Sequence, residues 1–126
     1  MFSLIQNVKN RNVIGQINSV AEFVAHLKNE KRKEVPEILK LREIKDKNKE
    51  YQAIKVELPS ICFNYTFKNN YVNTENANES TGYLYFDIDG EESFDYDITY
   101  VTALWKSVGG EGFGLLVKIR NLVKRI

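Results

Sequence analysis

The chain holds few of the residues from which metal centres and cross-links are usually built. Of its 126 residues, one is cysteine, Cys62, and one is histidine, His26. A single thiol makes no internal disulfide, and a zinc site drawing on cysteine and histidine has almost no ligands to use. Both residues read as structural. No apolar run approaches the roughly 20 residues of a membrane span. The opening MFSLIQNVKNRNV has only a short apolar patch and no small-residue cleavage site, so no secretory signal is expected and the chain reads as cytoplasmic, without a membrane partner. In that setting the sequons at Asn64 and Asn78 carry little meaning. Bases are missing from one long stretch: between Glu75 and Asp97 there are eight acids and no lysine or arginine. Such a stretch repels phosphate unless a metal ion intervenes.

What remains is the composition of an ordinary folded domain, 43% hydrophobic and 28% charged, in a chain long enough for one core. The net charge of +1 conceals a polarity. Residues 1–56 hold 12 Lys+Arg against 7 Asp+Glu, and residues 57–126 hold 6 against 10. The basic half has the sign to face an anionic polymer. A solvated helix face beside an acidic loop accounts for the same counts.

Phe2–Val8 and Val13–Ile17 have strand character on either side of a polar turn. Ser19 with Glu22 makes a capping box, and Val20, Phe23, Val24 and Leu27 recur at helical spacing, so a helix is expected over 20–29 with His26 at the boundary of its apolar stripe. Lys31, Arg32 and Lys33 form a linker. Pro36 suits the first turn of a second helix, patterned by Ile38, Leu39, Leu41 and Ile44 and running to about Lys45. Tyr51 and Ile54 pattern a third, which Leu58-Pro59 ends, because a residue before proline is pushed out of helical geometry.

Ile61–Phe67 (ICFNYTF) reads as one strand rich in aromatic and branched residues. Lys68–Thr81, asparagine-rich and without apolar period, reads as an exposed, mobile loop. The run YLYFDID (Tyr83–Asp89) is a strand closed by Gly90, followed by an acidic segment to Asp97 with room for a helical turn or two. Ile98–Trp105 is expected as a buried strand, paired with Leu115–Ile119 across the glycine-rich turn SVGGEGFG (Ser107–Gly114), and a basic helix is expected to begin in Asn121–Ile126. The order is helices first and sheet second. It predicts a single α+β domain, its N-terminal helices packed on a small, mostly antiparallel sheet that carries the Asp-x-Asp strand and the Gly-rich hairpin.

Strand side chains alternate faces, so Asp87 and Asp89 project from one side of the sheet. Two carboxylates there can share a divalent cation, and that cation can hold a phosphate. An EF-hand is excluded, since its loop glycine and closing glutamate have no counterparts at the required positions. Phosphatases of the haloacid dehalogenase class also begin on a hydrophobic strand ending in Asp-x-Asp-Gly, but they need a lysine and further acids over a long downstream stretch. Without a ligand the pair is two solvated carboxylates at a strand end. The glycine turn lies between strands, which excludes a dinucleotide fold, whose glycines must open a helix. Its bare amides have the means to approach a phosphate, with Ser107 as an added donor. A hairpin tip with no ligand is the other reading.

Taken in order, KVELPSICFNYTF (Lys55–Phe67), TGYLYFDID (Thr81–Asp89) and ALWKSVGGEGFGLLVKI (Ala103–Ile119) resemble the primase-polymerase-like domain of many Bacteroidetes proteins. This is the VirE-type N-terminal domain, a branch of the archaeo-eukaryotic primase superfamily. The likeness covers residues 36–119. It implies a domain of a mobile-element or phage DNA replication protein, in which Asp87 and Asp89 are catalytic ligands of Mg²⁺ or Mn²⁺. It implies Ser107, Gly109, Gly110 and Gly112 as a nucleotide-phosphate loop, and the basic Lys31, Arg32, Lys33, Lys40, Arg42 and Lys45 facing a template backbone. Nucleotide and DNA would be the partners, with a C-terminal helicase-like ATPase region in a longer protein. Two features depart from the pattern. The family's basic phosphate contact aligns with Gly114, and no acid follows Glu111 to supply the superfamily's third carboxylate. The alternative expectation is a catalytically inactive nucleic-acid-binding or protein-interaction module that retains the same fold.

Overall fold

In the computed structural model, which describes residues 1–44, 49–90, 95–97 and 99–119, the first strand is already a core strand. Phe2–Ile5 (β1) pairs antiparallel with Val13–Ile17 (β2) on one side and with Ser60–Cys62 (β3) on the other. Phe2 and Ile5 are buried, as apolar residues of a central strand should be. Asn7 holds the turn after β1: its side-chain oxygen accepts from the Lys9 and Asn10 amides at 2.9 and 2.7 Å, and its own amide donates to Glu57. Those bonds satisfy a buried polar side chain that would otherwise cost free energy.

Helix α1 spans Val20–Lys28, close to its expected bounds. Ser19 caps it, its Oγ accepting from the Glu22 amide at 3.0 Å, while the Glu22 carboxylate accepts from the Asn18 amide at 2.7 Å. The first bond satisfies a donor that the first turn leaves open, and the second ties the chain ahead of the cap to that turn. Helix α2 (Val35–Glu43) has Pro36 in its first turn, and α3 (Lys49–Lys55) ends before Leu58-Pro59. Leu41, Tyr51 and Leu58 bury one another in a small cluster of their own, joined by Val108 from far along the chain.

Two expectations change in the middle of the chain. ICFNYTF is not one strand: β3 ends at Cys62, and Tyr65–Phe67 (β4) belongs to a different sheet. The chain breaks at Phe63 and Asn64 because Phe63 turns into the core and the Thr81 hydroxyl donates to the Phe63 carbonyl. The asparagine-rich stretch is no structureless loop either, since Ala77–Ser80 (β5) pairs antiparallel with β4. Its asparagines build the connection. Asn69 and Asn70 take positive φ (60° and 51°), Asn73 accepts from the Asn76 amide at 2.7 Å, and Asn76 donates to the Tyr71 carbonyl at 3.1 Å. Asparagine tolerates that backbone region and bonds locally, so here it codes for turns.

Tyr83–Asp89 (β6), Val101–Lys106 (β7) and Gly112–Lys118 (β8) form a third sheet in the order β6-β8-β7, again antiparallel. The expected pairing of the last two strands across the glycine turn is present, and β8 also pairs with β6. The expected helical turn in the acidic segment rests mainly on residues outside those described, as does the expected helix over 121–126. The result is an α+β fold in which the described residues form three small sheets, and the helices follow the two strands expected at the start of the chain. Phe2, Ile17, Phe23, Phe63 and Leu116 are its main core, with Tyr83 and Trp105 packed against them. Phe23 meets Trp105 edge-on at 4.8 Å and Phe2 meets Phe63 at 5.3 Å, contacts worth about 0.5–1.5 kcal/mol each beyond area burial. Through them α1 is fastened to β7.

Candidate functional site

β6 is an edge strand, and this governs its acidic end. Tyr83, Tyr85, Asp87 and Asp89 share one face by alternation. It is the core face, since Tyr83 packs on Phe2 at 5.7 Å and Tyr85 stacks on Trp105 at 5.9 Å. The two aspartates therefore stand where that face runs out into solvent, and both are exposed. Tyr85 reports their proximity: its phenol is pushed up first by burial and then by the charges of Asp87 and of Asp89. The Tyr85 amide donates outward to the Asn64 side chain at 3.1 Å rather than to β8. By the same alternation the amides of Asp87 and Asp89 point away from the sheet. Charge on such an edge also discourages addition of a foreign strand.

The register sets Asp87 opposite Gly114 and Asp89 opposite Gly112. The positions facing the carboxylates across the strand pair thus carry no side chains. Among the described residues there is no group of three or more His, Cys, Asp or Glu able to hold a metal ion. Two solvent-exposed carboxylates suit a single, largely hydrated Mg²⁺ rather than an all-protein cage, because Mg²⁺ keeps several waters and takes one or two carboxylates.

The glycines of the hairpin answer to packing. A Cβ on Gly109 would strike the Tyr51 hydroxyl, one on Gly110 would lie 3.3 Å from the Arg42 chain, one on Gly112 would enter the backbone of Ile88, and one on Gly114 would enter the Trp105 ring. Gly110 also takes φ of 78°. The hairpin is closed from within: the Gly110 amide donates to the Ser107 carbonyl at 2.9 Å, the Gly112 amide to the Ser107 hydroxyl at 3.1 Å, and the Ser107 amide to the Gly112 carbonyl at 2.9 Å. Gly112 thus lies beside the acidic pair, while Gly109 and Gly110 turn toward α3 and α2.

The basic residues separate. Lys31 and Lys33 are exposed in the connection between α1 and α2, and Lys40 lies 3.8 Å from Glu50 at the surface. Arg32 turns inward, paired with Glu34 at 2.8 Å. Arg42 clips the hairpin, donating to the carbonyls of Val108 and Ser107 at 3.3 and 3.2 Å. Lys45 lies outside the described residues. Among the described residues no helix is long and apolar enough to cross a membrane.

Next to this face runs a groove of about 850 Å³ between α1, α2 and strands β3 and β7. Tyr85 and Trp105 form part of its wall, whereas Asp87 and Asp89 do not line it. Sequence reading had no means of finding it, because its residues come from six elements and connections far apart in the chain. The one available signal was Trp105, the only tryptophan, set among small and branched residues of a strand. Comparison with protein-family models, curated proteins and solved structures found no match to the chain.

Proposed function

We propose that the chain is a primase-polymerase-like domain of a mobile-element or phage replication protein that holds one divalent cation, Mg²⁺ or Mn²⁺, on Asp87 and Asp89. Through that cation it would bind the phosphate of a nucleotide or of a nucleic-acid end. The observation that carries this reading is the exposed carboxylate pair on one face of β6, at the end of the strand where it pairs with Gly112 and Gly114. The bound ion would supply positive charge against phosphate oxygens where the surrounding sequence is acidic. The chain's own contribution is orientation: β6 aims both carboxylates to one side, and Tyr85 stands beside them. Lys31, Lys33 and Lys40 remain at the surface for a nucleic-acid backbone.

A metal titration tests it. A ligand in tenfold excess over its Kd that binds only the folded state adds about 1.4 kcal/mol, on the order of 5 °C in Tm for a chain of this size. Millimolar Mg²⁺ or Mn²⁺ should raise Tm by that order, and the double variant Asp87→Asn/Asp89→Asn should not respond. A wild-type shift that persists in the variant would put the ion elsewhere; no wild-type shift would remove the site.

A second reading is favoured by one count. Two-metal phosphoryl transfer needs more carboxylates than the two gathered here among the described residues. This reading is a catalytically inactive nucleic-acid-binding or protein-interaction module of the same fold. Nucleotide incorporation on a primed template with Mn²⁺ separates the two: incorporation lost in the double variant supports the enzyme, and metal binding without incorporation supports the module.

A further inference from the structure

The groove beside β7 has a chemistry of its own, and its two ends differ. Phe23, Leu27, Ile38, Phe63, Trp105 and Val108 make its body apolar and aromatic. At the hairpin end two cations converge. The aliphatic stems of Arg42 and Lys106 both close on the Gly110 position, at 3.3 and 3.7 Å from where a Cβ would stand. Arg42 is already committed to the Val108 and Ser107 carbonyls. Lys106 makes no hydrogen bond or ion pair among the described residues, so an exposed ammonium stands at the mouth of an apolar slot. At the far end Arg32 and Glu34 neutralise one another at 2.8 Å, with His26 half-buried beside them.

We infer that this groove binds a small amphipathic anion, an apolar body carrying one carboxylate or phosphate head, with the body along Leu27, Ile38 and Trp105 and the head at Lys106 and Arg42. The size falls in the range of ordinary ligand pockets, which are mostly apolar with a few orienting polar groups. Charge complementarity selects the head. A buried ammonium partner would be opposed by both cations, and a neutral head would leave Lys106 as it is. The apolar body selects against a nucleoside, whose sugar hydroxyls and base edges need partners that these walls do not offer. The inference stands apart from the metal reading, since neither aspartate lines the groove.

Trp105, the only tryptophan, makes the test direct. Decanoate, decyl phosphate and 1-decanol, each kept below its micelle or solubility limit, are titrated against the folded chain while tryptophan emission is followed. Decanoate or decyl phosphate should shift the emission saturably, the better of the two identifying the head, and 1-decanol should bind at least about tenfold more weakly. Lys106→Glu should weaken the anion by a similar factor without lowering Tm, whereas Asp87→Asn/Asp89→Asn should leave it unchanged. The proposal is overturned if neither anion gives a saturable shift, if decanol binds as well as the anions, if Lys106→Glu has no effect, or if ATP binds in the groove more tightly than either anion. Loss of metal binding in the aspartate variant with the decanoate response intact would separate this site from the metal reading.

Discussion

His26 is the residue whose environment most directly becomes a stability effect. Its imidazole is held below the ordinary value of 6.5, first by burial and then by the charge of Arg32, with Glu34 opposing. Glu30 from the connection after α1, and Arg42 and Lys106 from across the groove, are the other charges lining that space. A histidine depressed in the folded state takes its proton more readily when unfolded. Its contribution is therefore complete above the unfolded value and is lost as pH falls through 6.5 toward the folded value. Urea midpoints measured from about pH 7 down to about pH 5 should fall in the wild type, and less steeply in His26→Gln. An equal fall in both would show that other groups carry the acid response. The same scale accounts for Cys62, whose thiol is pushed up by partial burial, which lowers its thiolate fraction.

At the scale of the element, the hairpin between β7 and β8 is a piece of close packing. Trp105 lies over Gly114 and Arg42 grips the turn from α2. Gly114→Ala should cost about 1–3 kcal/mol by overpacking and shift Trp105 emission. Gly90, at φ of 71° with open space around it, is a useful contrast: Gly90→Ala should cost about 1–2 kcal/mol from backbone strain alone and leave the emission unchanged. Denaturant curves followed by fluorescence check both, and an unchanged spectrum in Gly114→Ala would contradict the close approach. Whether or not its aspartates hold the proposed cation, the edge position of β6 gives them a physical role of their own, that of keeping a seven-residue strand rich in aromatics from acquiring a neighbour.

At the scale of the whole molecule, the N-terminal strand is the link. Phe2 has no exposed surface and touches Phe23 of α1, Phe63 at the corner between β3 and β4, and Tyr83 of β6, so one side chain joins pieces from three parts of the chain. Phe2→Ala should therefore destabilise the fold by about 3–5 kcal/mol, a large share of the roughly 5–15 kcal/mol typical of a domain. Chemical denaturation measures it. A cost near that of a surface substitution would mean that the first strand is dispensable. The groove exists only at this scale, where α1, α2 and two sheets meet.

The sequence by itself determined the α+β class, the three helices of the described residues and the paired strands around the glycine turn. Each of those rests on local regularities: a capping box, a 3.6-residue apolar period, a proline in a first turn, a branched strand. It also put Asp87 and Asp89 on one side of β6, because alternation is a property of the strand alone. Only the tertiary structure decided the rest. ICFNYTF divides between two sheets because Phe63 is needed in the core, and ANES becomes a strand because β4 offers it a backbone partner, which no apolar pattern announces. Arg32 and Arg42 turn from solvent to a neighbouring carboxylate and to hairpin carbonyls. The glycines at 109 and 112 are required by Tyr51 and the Ile88 backbone, groups distant in sequence and adjacent in space, and Gly114 by Trp105 across the hairpin. The physical reason is the same in each case: a close approach between remote segments leaves in the sequence only the small residue that permits it.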